Sequence, residues 1–240
     1  FEFCSKISDI AFPEDFGTIN PYAFRSCSSL INLNLTNVVK SICFNAFSNC
    51  AGLQTVIFSE KIQEIQNNTF EYCISLKEVN WPNDINIQYE TFQYCTSLSN
   101  INFNKTKIIG KGAFQNCTGL QILNLTDTEI NTIGVESFQY CTRLQTLIFP
   151  DTLTSINDNA FQFCTSLKEL DFPDEITIGK EAFLNCTGLQ RLGFSYDIKT
   201  IGVRSFKYCT SLQSLNLTIS EQAEVKDGAF QYCTGLTNII

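Results

Sequence analysis

The chain has no histidine and no methionine, one tryptophan and only five prolines in 240 residues. The missing histidine removes the commonest general base and imidazole metal ligand. Cysteines spaced 22 to 24 residues apart do not supply the close pair that a zinc site needs. There is no glycine-rich phosphate loop and no Gly-x-Ser-x-Gly turn for a nucleophile. No apolar run approaches the ~20 residues of a membrane span. No signal peptide is visible and there is no Met at all, so the chain reads as a processed or excised segment of a longer one. Positive charge is also scarce: 16 Lys and Arg against 24 Asp and Glu leave a net charge of −8, which offers nothing to nucleic acid or an anionic membrane. These absences lead us to expect no enzyme, cofactor or metal, no nucleic-acid partner, and no membrane insertion in this segment.

What the chain has is repetition, and a fixed period changes what every residue means. Eleven of the twelve cysteines hold one phase: Cys4, Cys27, Cys50, Cys73, Cys95, Cys117, Cys141, Cys164, Cys186, Cys209 and Cys233. Each has a Phe three residues before it and an aliphatic residue three after it, Leu in all but Ile7. Apolar residues six and eight after each Cys then alternate with polar ones, as in Leu123/Leu125 and Leu170/Phe172, the mark of a short half-buried strand. Length varies in one place only. From the second of these residues to the next Ile or Val the step is six to eight residues, whereas from there to Phe it is always five. The rest must therefore be a packed coil whose register cannot slip. The segment between Ile and Phe carries a small residue (Ala113, Ser137, Ala160, Ala182) and should form a tight turn, a 3₁₀ segment or a short helical one pressed on the core.

We expect one elongated domain over residues 1–240, built of ten to eleven coils. Trp81 falls at a core position. An odd ladder of eleven cysteines cannot pair completely, and stacked side chains point in parallel, so we read the column as buried free thiols. Cys43 lies outside the column and is the candidate accessible thiol. The last coil, with Glu221 and Glu224, is the most polar, and neither end carries the polar cap a free solenoid end needs.

The phrase Leu-x-x-hydrophobic-x-hydrophobic, with Ile-Gly and Ala-Phe-x-x-Cys on the return leg, resembles the BspA-like, or treponemal-type, leucine-rich repeats over essentially the whole chain. The resemblance implies a leucine-rich repeat solenoid of the α/β superhelix type with a parallel sheet on its concave face. Two departures stand out: Cys precedes the strand instead of following it, and a Pro after the strand survives only at Pro13, Pro82, Pro150 and Pro173. Members of the family are mostly surface or secreted proteins implicated in adhesion, which implies a protein or glycan ligand for this chain. A shared fold does not fix the partner.

Three sets of residues are candidates for contact. The outward strand positions, five and seven after Cys, form an amide-rich strip about 50 Å long; within it we single out Asn80, Asn100, Asn102, Asn124, Glu169 and Asp171. Glu169 and Asp171 mimic a catalytic carboxylate pair, but a solvated acidic patch is the simpler reading. One residue before Cys runs an aromatic column with Tyr72, Tyr94, Tyr140, Tyr208 and Tyr232, beside a row of Gln. It is either a structural ladder or a lateral contact surface. Seven Asn-x-Thr sequons, at Asn34, Asn67, Asn104, Asn116, Asn124, Asn185 and Asn216, are candidate N-glycosylation sites, Asn67 and Asn104 foremost because they lie in turns. The sequence supports a surface or secreted recognition module first. A subunit of an extracellular fibre, assembling through uncapped ends or the Tyr flank, is the alternative, and an intracellular scaffold the third.

Overall fold

The computed structural model describes residues 1–14, 16–36, 39–80, 85–103, 106–194, 197–215 and 220–239, with the side chain of Asn80 left out. Trp81, Pro82, Asn104, Asn216, Leu217 and Ile240 lie outside the described residues. The chain winds as a parallel β-solenoid of about nine turns. One strand per coil lines the first face, called the first sheet below; its hydrogen-bonded strands fall in three stretches, Asn32–Asn34 to Asn100–Ile101, Ile122–Asn124 with Thr146–Ile148, and Glu169–Asp171 to Asn238–Ile239. Every pairing is parallel and joins equivalent residues, such as Leu123 to Leu147 and Leu170 to Leu192. The repeat thus sets the register, and slippage by one residue would turn Leu123 and its equivalents outward.

The sequence did not announce the second sheet. Two-residue strands, including Thr18–Ile19, Ser41–Ile42, Thr132–Ile133, Ser155–Ile156 and Thr200–Ile201, pair in parallel at the Ile column of the return leg. Isolated bridges extend the stretch that starts at Thr132–Ile133 back through Ile109 to Ile87, and Thr18–Ile19, Ser41–Ile42 and Glu64–Ile65 form a separate stretch. Of the options for the next segment, the turn is realised, and no helix occurs among the described residues. Alternate amides close i to i+3 turns, as Ala46 to Cys43, Ser48 to Asn45 and Cys50 to Phe47, while those between them donate to the next coil, as Asn45 to Asn67, Phe47 to Thr69 and Asn49 to Glu71. The segment cannot continue as a helix because residues five and one before each Cys take left-handed backbone, for example Asn45 (φ 56) and Asn49 (φ 59).

Inside, like residues stack in columns. The phenylalanines from Phe1 to Phe230 lie 5.1 to 5.6 Å apart, centroid to centroid and nearly parallel. The column cysteines from Cys27 to Cys233 are free and buried. Each of their thiols donates to the Phe carbonyl of the preceding coil, from Cys27 to Phe1 through to Cys233 to Phe206, at 3.1 to 3.4 Å. A small side chain with one donor suits that place, since the carbonyl would otherwise be a buried acceptor lacking this partner. Cys4 is exposed, which corrects its placement among the buried thiols. Neighbouring coils also approach too closely for a side chain at Gly134, where a Cβ would lie 2.5 Å from the Ile109 carbonyl oxygen. At ~1.5–3 kcal/mol for each large apolar side chain removed from water, these columns are the dominant favourable contribution to folding.

Candidate recognition surfaces

The strand periodicity puts the outward positions of the first sheet in solvent. Asn32, Asn34, Glu78, Asn100, Asn102, Asn124, Thr146, Glu169, Asp171, Arg191 and Ser214 are exposed, and Thr55 and Gly193 half-buried. The backbone of Asn80 belongs to the strand Glu78–Asn80; its side chain is outside the described residues. The aliphatic members are the notable ones: Ile57, Ile122 and Ile148 remain 53%, 62% and 41% exposed on this otherwise polar face. Thr146 pairs with Ile122 and Ile148 with Asn124, so the two isoleucines sit diagonally amid amide and hydroxyl groups.

Glu169 and Asp171 are tied together by one guanidinium. Arg191, on the neighbouring strand, donates from Nε to Glu169 at 3.0 Å and from its two terminal nitrogens to both oxygens of Asp171 at 2.7 Å. These hydrogen bonds hold the Asp171 carboxyl below its ordinary range and raise Arg191 further. The general-acid member of a glycosidase-type pair is kept protonated, and Asp171 is pushed the other way. Gly193 leaves room for this clamp, since a Cβ there would run into Asp171 Oδ1. The sequence contained the signal, because Arg191 lies 22 residues after Glu169 at the same phase of the repeat.

The turn flank carries the aromatic column. Tyr72 stacks on Tyr94 at 4.4 Å, Tyr140 on Phe163 at 4.7 Å and Tyr208 on Tyr232 at 5.0 Å. Tyr72, Tyr140, Tyr208 and Tyr232 are exposed and Tyr94 half-buried. Beside them the side-chain amides of Gln93, Gln115, Gln139 and Gln162 form a continuous hydrogen-bonded ladder, each Nε2 donating to the Oε1 of the next. Each member of the Tyr column has left-handed backbone, with φ between 58° and 63° for these five tyrosines. Only Gly and, less readily, Asn or Asp take that conformation easily. Nearby, Asn68 Nδ2 donates to the carboxylates of both Glu71 and Glu90, a bridge the sequence reading missed. Burial pushes the Glu71 carboxyl up, partly offset by the Asn68 hydrogen bond.

The sequons divide by their surroundings. Asn34 and Asn124 are exposed at the ends of their strands, and each accepts from the amide of the Thr two residues on. Asn67 is exposed and accepts from the Tyr89 amide, while its partner Thr69 is fully buried. Asn116 and Asn185 are half-buried in the aromatic column, and Asn104 and Asn216 lie outside the described residues. Cys43 is half-buried, its thiol raised by desolvation and by Glu64. Burial is the largest cause raising the column thiols from Cys27 to Cys209, Cys50 to about 12, whereas a hydrogen bond with Cys209 lowers Cys233.

A parallel sheet of short strands, one per coil, over a core of stacked Phe, Leu and Cys defines a leucine-rich repeat solenoid. The BspA type leucine-rich repeat region matches residues 1–121 and 107–237, in six copies. The chain belongs to that family. Among solved structures it is similar to a leucine-rich cell surface protein of Faecalibacterium prausnitzii A2-165, with 23% identity over 95% of this chain and 77% of that one and a TM-score of 0.56. It is similar also to the pneumococcal vaccine antigen PcpA, with 18% identity over 84% of this chain and 60% of that one and a TM-score of 0.52. A leucine-rich repeat protein of T. pallidum shares 22% identity over 82% of this chain and 71% of that one, at a TM-score of 0.45. These likenesses are of fold. No curated protein matches the sequence. No helix among the described residues is long and apolar enough to cross a membrane.

Proposed function

We propose that the chain is a non-enzymatic recognition module, displayed at a cell surface or secreted, that binds a protein or glycan along the face of the first sheet and so serves adhesion. One observation carries this reading. Ile122 and Ile148 are held exposed by strand register in the middle of a strip of Asn100, Asn102, Asn124 and Thr146. Specific interfaces have that composition, an apolar centre within a polar rim that supplies hydrogen bonds. The Arg191 clamp keeps the adjoining carboxylates from acting as a bare negative patch. Membership of the BspA type and the likeness to a protein described as a cell surface protein support the location.

The test is binding of fluorescently labelled chain to cultured epithelial cells and to an array of immobilised glycans. It compares the parent with an Ile122→Asp/Asn124→Arg variant. Both substitutions are on the solvent side, so the fold should persist by circular dichroism. The reading expects at least a tenfold loss of binding in the variant. Equal binding by the two proteins would remove the first sheet from consideration.

A further inference from the structure

From Tyr72 onward the column one residue before each cysteine has an order of its own: Tyr72, Tyr94, Asn116, Tyr140, Phe163, Asn185, Tyr208, Tyr232. Two rings, then an amide, recur every three coils. Asn116 (φ 62) and Asn185 (φ 59) share the left-handed backbone of their aromatic neighbours. Their amides make the same bond to the next coil, Asn116 to Gln139 and Asn185 to Lys207, as Tyr94 makes to Gln115. Their Cβ atoms therefore stand where ring-bearing Cβ atoms stand in the other coils, and each Asn is a missing rung in a ladder of rings.

Within the pairs the rings are 4.4 to 5.0 Å apart. Across a missing rung the separation is two coil steps, about 9–10 Å at the usual strand spacing of ~4.8 Å. One slot thus has walls of Tyr94 and Tyr140 and a floor of Asn116; the other has walls of Phe163 and Tyr208 and a floor of Asn185. The side chains of Asn116 and Asn185 make no hydrogen bond among the described residues, whereas Asn49, in the same column, donates to Ser26 at 3.1 Å. An amide with free donor and acceptor between two aromatic faces suits a ligand with apolar faces and a polar edge.

The width selects the ligand. A flat ring in contact with both walls needs them about 7–8 Å apart, two carbon–carbon contacts of ~3.5–4.0 Å. A puckered pyranose, with axial C–H bonds above and below, is thicker and comes nearer to filling the slot. Both of its faces must be C–H faces, which requires every hydroxyl to be equatorial, as in β-gluco-configured sugars. A galacto sugar carries one axial hydroxyl and would set it against a wall. We infer that each missing rung is a subsite for one β-gluco-configured pyranose ring of a glycan ligand, its equatorial hydroxyls meeting the Asn amide. Equatorial linkages leave in the plane of the ring, across the flank, so the two slots take separate chains or branches. The inference rests on the recognition reading but uses a different surface, so failure of one does not entail failure of the other. A glycan attached to Asn116 or Asn185 itself would fill the same space, and for that reason the test uses protein made in a bacterial host.

The experiment is saturation-transfer NMR with cellotetraose, chitotetraose and β-1,4-galactotetraose. The two gluco-configured probes should receive saturation on both ring faces, at H2 and H4 as well as H1, H3 and H5, and bind at least tenfold more tightly than the galacto probe. Asn116→Tyr/Asn185→Tyr supplies the missing rungs with a residue this column accepts elsewhere and should abolish the signal while leaving the circular dichroism unchanged. If that variant does not fold, Tyr94→Ser/Phe163→Ser removes one wall of each slot and should weaken binding at least fivefold. Three results would overturn the inference: no transfer to either gluco probe, transfer to one ring face only, or undiminished binding by the folded variant. Ile122→Asp/Asn124→Arg should bind these probes as the parent does, which separates this site from the first sheet.

Discussion

Replacing one ring in the interior of the Phe column tests the packing at its centre. Phe138 is fully buried, stacked at 5.3 Å on Phe114 and 5.2 Å on Phe161, and its carbonyl accepts the Cys164 thiol. Truncation to Ala removes the ring and leaves a void that the flanking rings, each held by its own coil, cannot close. Phe→Ala changes at such sites cost ~3–5 kcal/mol, and loss of contact with two stacked rings, worth ~0.5–1.5 kcal/mol a pair, argues for the upper half of that range. Because stability in a solenoid is close to a sum over coils and their interfaces, the loss falls on two interfaces at once. Phe1, 74% exposed at the start of the same column, is the internal control, and Phe1→Ala should cost under ~1 kcal/mol by the area rule. Guanidinium unfolding followed by far-ultraviolet circular dichroism measures both. A cost below ~1 kcal/mol for Phe138→Ala would mean the ring is not in a packed core, and the column assignment would fail with it.

Other expectations follow from single atoms. Ser137 Oγ is buried and has no hydrogen-bond partner among the described residues, so Ser137→Ala should be neutral or stabilising by up to ~1–2 kcal/mol, read from thermal unfolding. Gly134→Ala drives a Cβ into the Ile109 carbonyl and should destabilise by ~1–3 kcal/mol. In Gly193→Ala the obstacle is the flexible Asp171 side chain, and the loss should stay near that of an exposed ion pair, ~0–1 kcal/mol. If the two glycine variants melted alike, the close approach at Gly134 would be in error. Asp171 has a depressed carboxyl, so its contribution is complete above the unfolded value of ~3.9 and is lost as pH falls through the lower folded one. Asp171→Asn should therefore show a shallower loss of melting temperature between pH 5 and about pH 2 than the parent. An identical slope would remove the clamp from the account.

The coil was legible because Phe, Cys and Leu recur at fixed phase, and residues that repeat at fixed phase must stack. The second sheet was not, since strands of two residues such as Thr132–Ile133 are too short for alternation to show. Nor was the left-handed backbone under the Tyr column, where Tyr72 and Tyr94 stand at φ near 60° with no Gly to signal it. Tertiary bonding to the next coil, through Tyr72 N to Gln93 O for instance, overrides local preference there. The outward face of the first sheet followed directly from alternation, but its electrostatics did not. Glu169 and Asp171 read as an acidic patch until cross-strand register brought Arg191 onto both. Nothing in the sequence set Cys4 apart either, since Phe1, Cys4 and Ile7 keep the phase of the buried coils.

The central claim is that one coil per repeat carries the thiols inward, and counting reactive thiols tests it most directly. The native chain is treated with a maleimide under reducing-agent-free conditions, unfolded, treated with a second maleimide of different mass, and mapped by mass spectrometry. Of the twelve cysteines, Cys4 and Cys43 should carry the first label, and the ten from Cys27 to Cys233 in the column only the second. First label spread along the column, or pairs of column cysteines joined as disulfides and blocked to both reagents, would contradict the account.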